Sequence, residues 1–268
     1  MATRLPDAPE GSTGPPPLVG SNSPAVIRRI VQANNRMIRR SEGAVANPRS
    51  VEDEPWAARL TAAHPSIRAE WQRFVDAGLR LPLAEELLGG PQGNESSWWR
   101  TGLLLVRRRR CVPLADWFPR TVDALLAVPG MSSAMVSVFG PGTELPEHRG
   151  DNAGGLRLLY GIACPPGSGH SVNGTSLEVG EGEVMLFDDT ELHAAWNRSD
   201  RPRVLLLADV ERPLPRVAAM RNSMVQLARH HLSGPYRHLP DRGAAMHAHL
   251  NAGATTTAPP PRDEGSPG

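Results

Sequence analysis

Two histidines have the setting of metal ligands. His148 lies in GTELPEHRGDN and His193 in FDDTELHAAWN, each just after a strand-like run. Imidazoles delivered by two separate strands, where a barrel opens, suit ligation of iron. Arg203 follows His193 by ten residues and opens the run RVLLLADV. A guanidinium fork matches a carboxylate through two hydrogen bonds and stays charged when buried, so Arg203 is a candidate anion grip. Arg157 is a third candidate. It shares a strand face with Leu159 and Gly161, and if that face is interior it needs an anionic partner there. The other histidines weighed, His64, His170, His230, His231, His247 and His249, are read as solvent-exposed, His170 in a Gly-rich loop. Asp188 and Asp189 are read as structural, capping the turn that presents His193.

The elements that must hold these groups are short strands. Runs at 103–109, 134–139, 156–163, 183–187 and 204–210 are apolar or alternating, and clusters such as PGTELP and PPGSG divide them. Many short strands separated by turns predict a sandwich or barrel and not a βαβ sheet. Helices flank this part. Val26, Ile27, Ile30, Val31, Met37 and Ile38 suit one helix face, a helix starts at Pro65 and stops at Gly78, and another spans 121–128. Past Pro215 a helical stripe returns with Val217, Met220, Met224 and Leu227. The organisation is therefore a tail at 1–23, a helical extension at 24–130 leading into the barrel, an all-β core at 131–213, a helical segment at 214–250 and a tail at 251–268. Both tails are rich in Pro, Gly or Ser and are read as disordered.

Composition removes several classes of chemistry. All 29 basic residues are Arg, so a Schiff-base lysine, a phosphate-loop lysine and a Ser–Lys dyad are excluded. Net charge is +1, which leaves no whole-chain footprint for nucleic acid or an anionic membrane. Cys111 and Cys164 are too few for a Cys-rich zinc site or a disulfide scaffold, and a reduced, cytoplasmic setting is expected. The N-terminus lacks a signal-peptide core, and the apolar runs fall far short of the roughly 20 residues of a spanning helix. No nucleic-acid and no membrane partner is expected. Trp98-Trp99 is read as core or interface, and Arg107 to Arg110 as a solvated edge strand.

The run VPGMSSAMVSVFGPGTELPEHRGDNAGGLRLLYGIACP, followed by LEVGEGEVMLFDDTELHAAWNRSDRPRVLLLADVERP, resembles the aspartyl/asparaginyl β-hydroxylase family across about residues 55–235. The most specific part is FDD, five residues, WN, then an arginine and a DxxRP strand end. The resemblance implies a double-stranded β-helix (jelly-roll) that uses Fe(II), 2-oxoglutarate and O2 to hydroxylate an unactivated C–H. It implies His148 and His193 as iron ligands, and Arg203 with Ser137 on the distal carboxylate of 2-oxoglutarate. Arg157 would contact a carboxylate of cosubstrate or substrate. Most such oxygenases take a third ligand from His-x-Asp/Glu, and here that place is Gly150, as in family members with two-histidine ligation. Asp151, next along, is read as a turn residue. Leu159 stands where many members carry His. The expected substrate is an Asp/Asn-type residue in a peptide or a free amino acid, ahead of an acyl chain. Halogenation and a non-catalytic binding module are the other readings.

Overall fold

The computed structural model describes residues 25–42, 46–88, 98–232 and 238–252; both predicted tails lie outside these except for residues 251 and 252. Four helices come first: α1 (Ala25–Glu42), α2 (Pro55–Ala62), α3 (His64–Asp76) and α4 (Ala84–Leu88). The hairpin β1 (Trp99–Val106) and β2 (Arg109–Arg110) leads to α5 (Pro119–Leu126). Eight strands follow: β3 (Met131–Phe139), β4 (Thr143–His148), β5 (Gly155–Ala163), β6 (Ser168–Val172), β7 (Thr175–Leu177), β8 (Val184–Phe187), β9 (His193–Asn197) and β10 (Arg203–Glu211). Two helices close the described chain, α6 (Arg216–Leu232) and α7 (Leu239–Leu250).

The strands form two antiparallel sheets. One has the order β2-β1-β3-β10-β5-β8, the other β4-β9-β6-β7. From β3 to β10 the chain passes back and forth between them, which is the winding of a double-stranded β-helix. The hairpin β1–β2 widens the larger sheet beyond the eight strands.

The larger sheet is buried on both faces, and its sequence shows why. Along β10, Val204, Leu206, Ala208 and Val210 turn to the helices, while Arg203, Leu205, Leu207 and Asp209 turn to the interior between the sheets. On β5, Leu156, Leu158, Tyr160 and Ile162 take the helix side, and Arg157 and Leu159 the interior, as the two-residue period predicts. Ile67 and Phe74 of α3 and Val122 and Leu125 of α5 cover the helix side in one apolar core. Burying each such side chain contributes about 1.5–3 kcal/mol. The two helices are locked by a buried carboxylate. Glu70 of α3 accepts the backbone N–H groups of Arg120 and Thr121 and the Thr121 hydroxyl, at 2.7, 2.9 and 2.6 Å. It thereby satisfies the open N-terminus of α5.

The smaller sheet departs from the sequence reading. All four of its strands fall outside the five runs read as strands, partly in segments read as turns. Its consequence for His170 is direct: this residue lies on β6, buried, and not in an exposed loop. His247 is likewise buried, packed 6.3 Å from Phe74, and His64 is half-buried with its Nδ1 3.0 Å from the Tyr160 hydroxyl. His249 is exposed as expected, and the side chain of His230 lies outside the described residues.

Candidate functional site

His148 ends β4 and His193 begins β9, and the strand register sets them directly opposite one another. Their ring centroids are 4.0 Å apart and both side chains are buried. Each Nδ1 lies 2.8 Å from a backbone carbonyl two residues earlier, that of Pro146 for His148 and of Glu191 for His193. A carbonyl only accepts, so each Nδ1 carries the proton and each Nε2 keeps its lone pair. Such a second contact orients a ligating imidazole. Burial, helped by the neighbouring His193, pushes His148 down to about 4, and burial lowers His193 as well. Both rings are neutral at pH 7, the form that binds metal. The Phe187 ring meets His193 edge-on at 5.3 Å.

Two residues after His148, Gly150 has no room for a side chain. A Cβ there would lie 2.4 Å from both Cγ and Oδ1 of Asp189. The Asp189 carboxylate thus fills the place that a side chain from position 150 would take. It is held by Arg157 at 2.8 Å, and Arg157 also pairs with Asp209 at 3.3 Å. The anionic partner required for an inward Arg157 is therefore supplied twice over by the chain itself. Of the two aspartates read as structural, Asp188 is so: it accepts the Thr190 N–H and hydroxyl at 3.0 and 2.6 Å and pairs with Arg212. Asp189 faces the cavity instead. Asp151 turns to Arg229 of α6 at 2.7 Å. Among the described residues no group of three or more His, Cys, Asp or Glu side chains is arranged to hold a metal, and the two imidazoles are the donors this site would offer one.

Arg203 lies deeper in the same cavity. It is 3% exposed and no described carboxylate pairs with it. Its guanidinium donates to the carbonyls of Gly169 and Trp196, both at 3.3 Å, and stands 5.6 Å from the Phe139 ring centre. Burial pulls its pKa down to about 10. A buried cation without a carboxylate is costly unless an anion arrives. Ser137 of β3 shares this end. Its Oγ accepts the Trp99 indole N–H at 2.9 Å, which leaves the hydroxyl proton for another acceptor. Trp99 is thus core, while its neighbour Trp98 is exposed.

Sequence reasoning missed His170. Nη2 of Arg203 lies 2.7 Å from its Nδ1 and 2.9 Å from its Nε2. A guanidinium only donates, so the imidazole accepts and is neutral, and burial with the adjacent Arg203 holds its pKa well below the usual value. The signal was the alternation in SGHSV, which puts Ser168, His170 and Val172 on one face; the glycines around it concealed the strand.

All these groups line one cavity of about 610 Å³. Its polar lining includes the two histidines, Arg157 and Arg203, and also Ser132, Ser133, Asn152, Asn222 and Gln226. Leu103, Val106, Met135 and Leu207 continue it as an apolar wall, with Leu88 of α4 and Leu239 of α7 at its side. Arg107 and Arg108, the turn of the β1–β2 hairpin, border it, both with positive φ (50° and 62°), where Asn-Gly is the favoured pair.

Comparison with known proteins gives a family and several relatives. The family described as aspartyl/asparaginyl beta-hydroxylase matches residues 61–213. The ornithine lipid ester-linked acyl 2-hydroxylase of Rhizobium tropici is 33% identical over 164 residues, 60% of this chain and 58% of that protein. Human aspartate beta-hydroxylase domain-containing protein 2 is 37% identical over 143 residues, 50% of this chain and 37% of that protein. The chain thus spans little more than half the length of the first relative and less of the second. Among solved structures, a prolyl-4-hydroxylase of Pseudomonas putida is similar at 16% identity, with a TM-score of 0.34, over 59% of this chain and 88% of that one.

Proposed function

The chain belongs to the aspartyl/asparaginyl β-hydroxylase family, and on that premise we propose that it is an Fe(II)- and 2-oxoglutarate-dependent hydroxylase whose substrate is an acyl chain. One observation carries the cofactor assignment: two neutral imidazoles present free Nε2 atoms in the same cavity as a buried arginine that has no carboxylate partner. The donor set fits the group. His148 and His193 would hold the iron, and Arg203 with Ser137 the distal carboxylate of 2-oxoglutarate. His170 would position Arg203. When bound, iron, 2-oxoglutarate and O2 supply an oxidant that replaces a C–H by C–OH and leave succinate and CO2. The chain's own work is orientation and exclusion of water. Nδ1–H bonds fix both imidazoles, and Asp189 and Asp209 fix Arg157.

Two features favour an acyl chain over the Asp/Asn-type substrate first expected. Arg157, a cavity-lining cation that could meet a substrate carboxylate, is already paired with two aspartates. Part of the cavity wall is apolar, made by Leu103, Val106, Met135 and Leu207, and Leu159 adds to it. The acyl 2-hydroxylase similarity supports the same reading. An Asp/Asn-type side chain remains the second reading, favoured by the family's description.

The test has two parts. Titration calorimetry without O2 should show 2-oxoglutarate binding that requires Fe(II). With O2, acyl lipids and Asp/Asn peptides are compared by mass. Gain of one oxygen on an acyl chain supports the proposal, and gain on the peptide alone supports the second reading. Halide incorporation makes the protein a halogenase, and no 2-oxoglutarate binding makes it a binding module.

A further inference from the structure

The apolar stripe of α6 does not enter the core. Val217, Met220, Met224 and Leu227 recur at i, i+3, i+7 and i+10 and share one helix face. They are 72, 63, 65 and 44% exposed. The buried face of α6 is instead made by Ala218, Asn222 and Arg229. Helix α1, which packs along α6 through the Asn34–Asn222 hydrogen bond at 2.9 Å, repeats the pattern. Ile27, Val31 and Ile38 are buried, whereas Val26, Ile30 and Met37 form an exposed stripe. Single exposed apolar residues are ordinary, but two stripes on neighbouring helices are a surface that something covers.

Charge says what. α1 carries Arg28, Arg29, Arg36, Arg39 and Arg40 against the single acid Glu42, and α6 carries Arg216, Arg221 and Arg229 with no acid. Arg29, Arg36 and Arg40 fall beside the α1 stripe, Arg216 beside that of α6, and no described carboxylate pairs with any of the four. Apolar stripes edged by arginine are the pattern of helices that lie in the interface of an anionic bilayer. The whole-chain net charge of +1 hides this local excess. No described helix is long and apolar enough to cross a membrane, which is a separate matter from lying on one. The stripe is also continuous with the cavity, because Leu227 belongs to it and, with Ser223, lines the cavity.

We propose that the exposed face of α6, with α1 beside it, docks the protein on an anionic lipid surface with the cavity mouth beside the bilayer. This goes beyond the hydroxylase assignment, since docking needs neither iron nor turnover.

The full chain is tested by co-sedimentation with vesicles of phosphatidylcholine and of phosphatidylcholine mixed with phosphatidylglycerol. Binding to the anionic vesicles, weakened by 0.5 M salt, is expected. The triple variant Val217→Ser/Met220→Ser/Met224→Ser, which spares the cavity, should bind about tenfold or more weakly while keeping its fold and 2-oxoglutarate affinity. Arg29→Gln/Arg36→Gln should weaken anionic binding by about fivefold per charge. Absence of binding to anionic vesicles, or equal binding by the triple variant, overturns the proposal. So does a wild-type dimer in sedimentation velocity that the triple variant abolishes without change in vesicle binding, since a second copy would then cover the stripe. If vesicle binding behaves as expected while acyl lipids are not hydroxylated, docking stands and the substrate assignment falls.

Discussion

Arg203→Met separates an anion-binding arginine from a structural one. Burial moves the guanidinium below its ordinary value, to about 10. At about 1.4 kcal/mol per unit, the charged form is disfavoured by roughly 3 kcal/mol. At neutral pH, far below both values, that whole penalty is present. Against it stand two 3.3 Å contacts to carbonyls and one 2.7 Å contact to His170, at about 1 kcal/mol each. The terms nearly cancel, and methionine restores most of the packing, so the free protein's stability should change by less than about 1 kcal/mol. Ligand linkage should change greatly. At 100 times its dissociation constant, 2-oxoglutarate stabilises the wild type by about 2.7 kcal/mol. For a domain of this size that is a rise of about 5–10 °C in Tm. Scanning calorimetry with Fe(II), without O2, with and without 2-oxoglutarate, reads both quantities. The variant should melt near the wild-type temperature and lose the ligand-induced rise. A loss above 3 kcal/mol in the free protein with the rise retained would mean that Arg203 serves the fold and that the anion binds elsewhere.

His148→Ala and His193→Ala should each abolish Fe(II)-dependent 2-oxoglutarate decarboxylation with an unchanged circular dichroism spectrum; turnover near wild type in either variant removes that residue from the metal site. His170→Leu should weaken 2-oxoglutarate binding about three- to tenfold by calorimetry, because one contact orienting Arg203 is lost; unchanged affinity would leave His170 with a packing role. Gly150→Asp should cost about 1–3 kcal/mol by denaturant titration, since its Cβ meets the Asp189 carboxylate; a stable variant that binds iron more tightly would contradict this. Leu207→Trp should shorten the acyl chains accepted without lowering 2-oxoglutarate affinity, as read by product mass across chain lengths.

What could be read from the sequence divides by sheet. Strands β3, β5, β8 and β10 are covered on both faces, so runs such as RVLLLADV declare themselves. Strands β4, β6, β7 and β9 carry polar and small residues such as Glu144, His170, Thr175 and Ala194, and their apolar signal is diluted. His148, His193 and Arg203 stood out even so, because their surrounding motif is specific. His170 did not, since the glycines around it conceal the alternation of β6, which shows only once β6 is paired with β7 and β9. The helical stripe of α6 was legible as a helix but not as a surface. Val217 and Met220 look like core by spacing, and only the assembled fold shows that Ala218 and Asn222 take the inward face. For Arg157 the period gave the face it shares with Leu159 and the resemblance implied the inward direction, whereas its second partner, Asp209, depended on the β10–β5 register.

The carboxylate of Asp189 against Gly150 also constrains how such a site can change over generations. On the proposed reading, an acidic residue acquired at position 150 would offer a third ligand beside His148 and His193. Here that step carries a cost, because the space is taken by a side chain that is itself tied to Arg157. Asp189 has to move or shrink, and its loss leaves Arg157 with Asp209 alone. On the proposed reading, a third ligand at position 150 therefore calls for a compensating change at position 189, so the two positions are coupled.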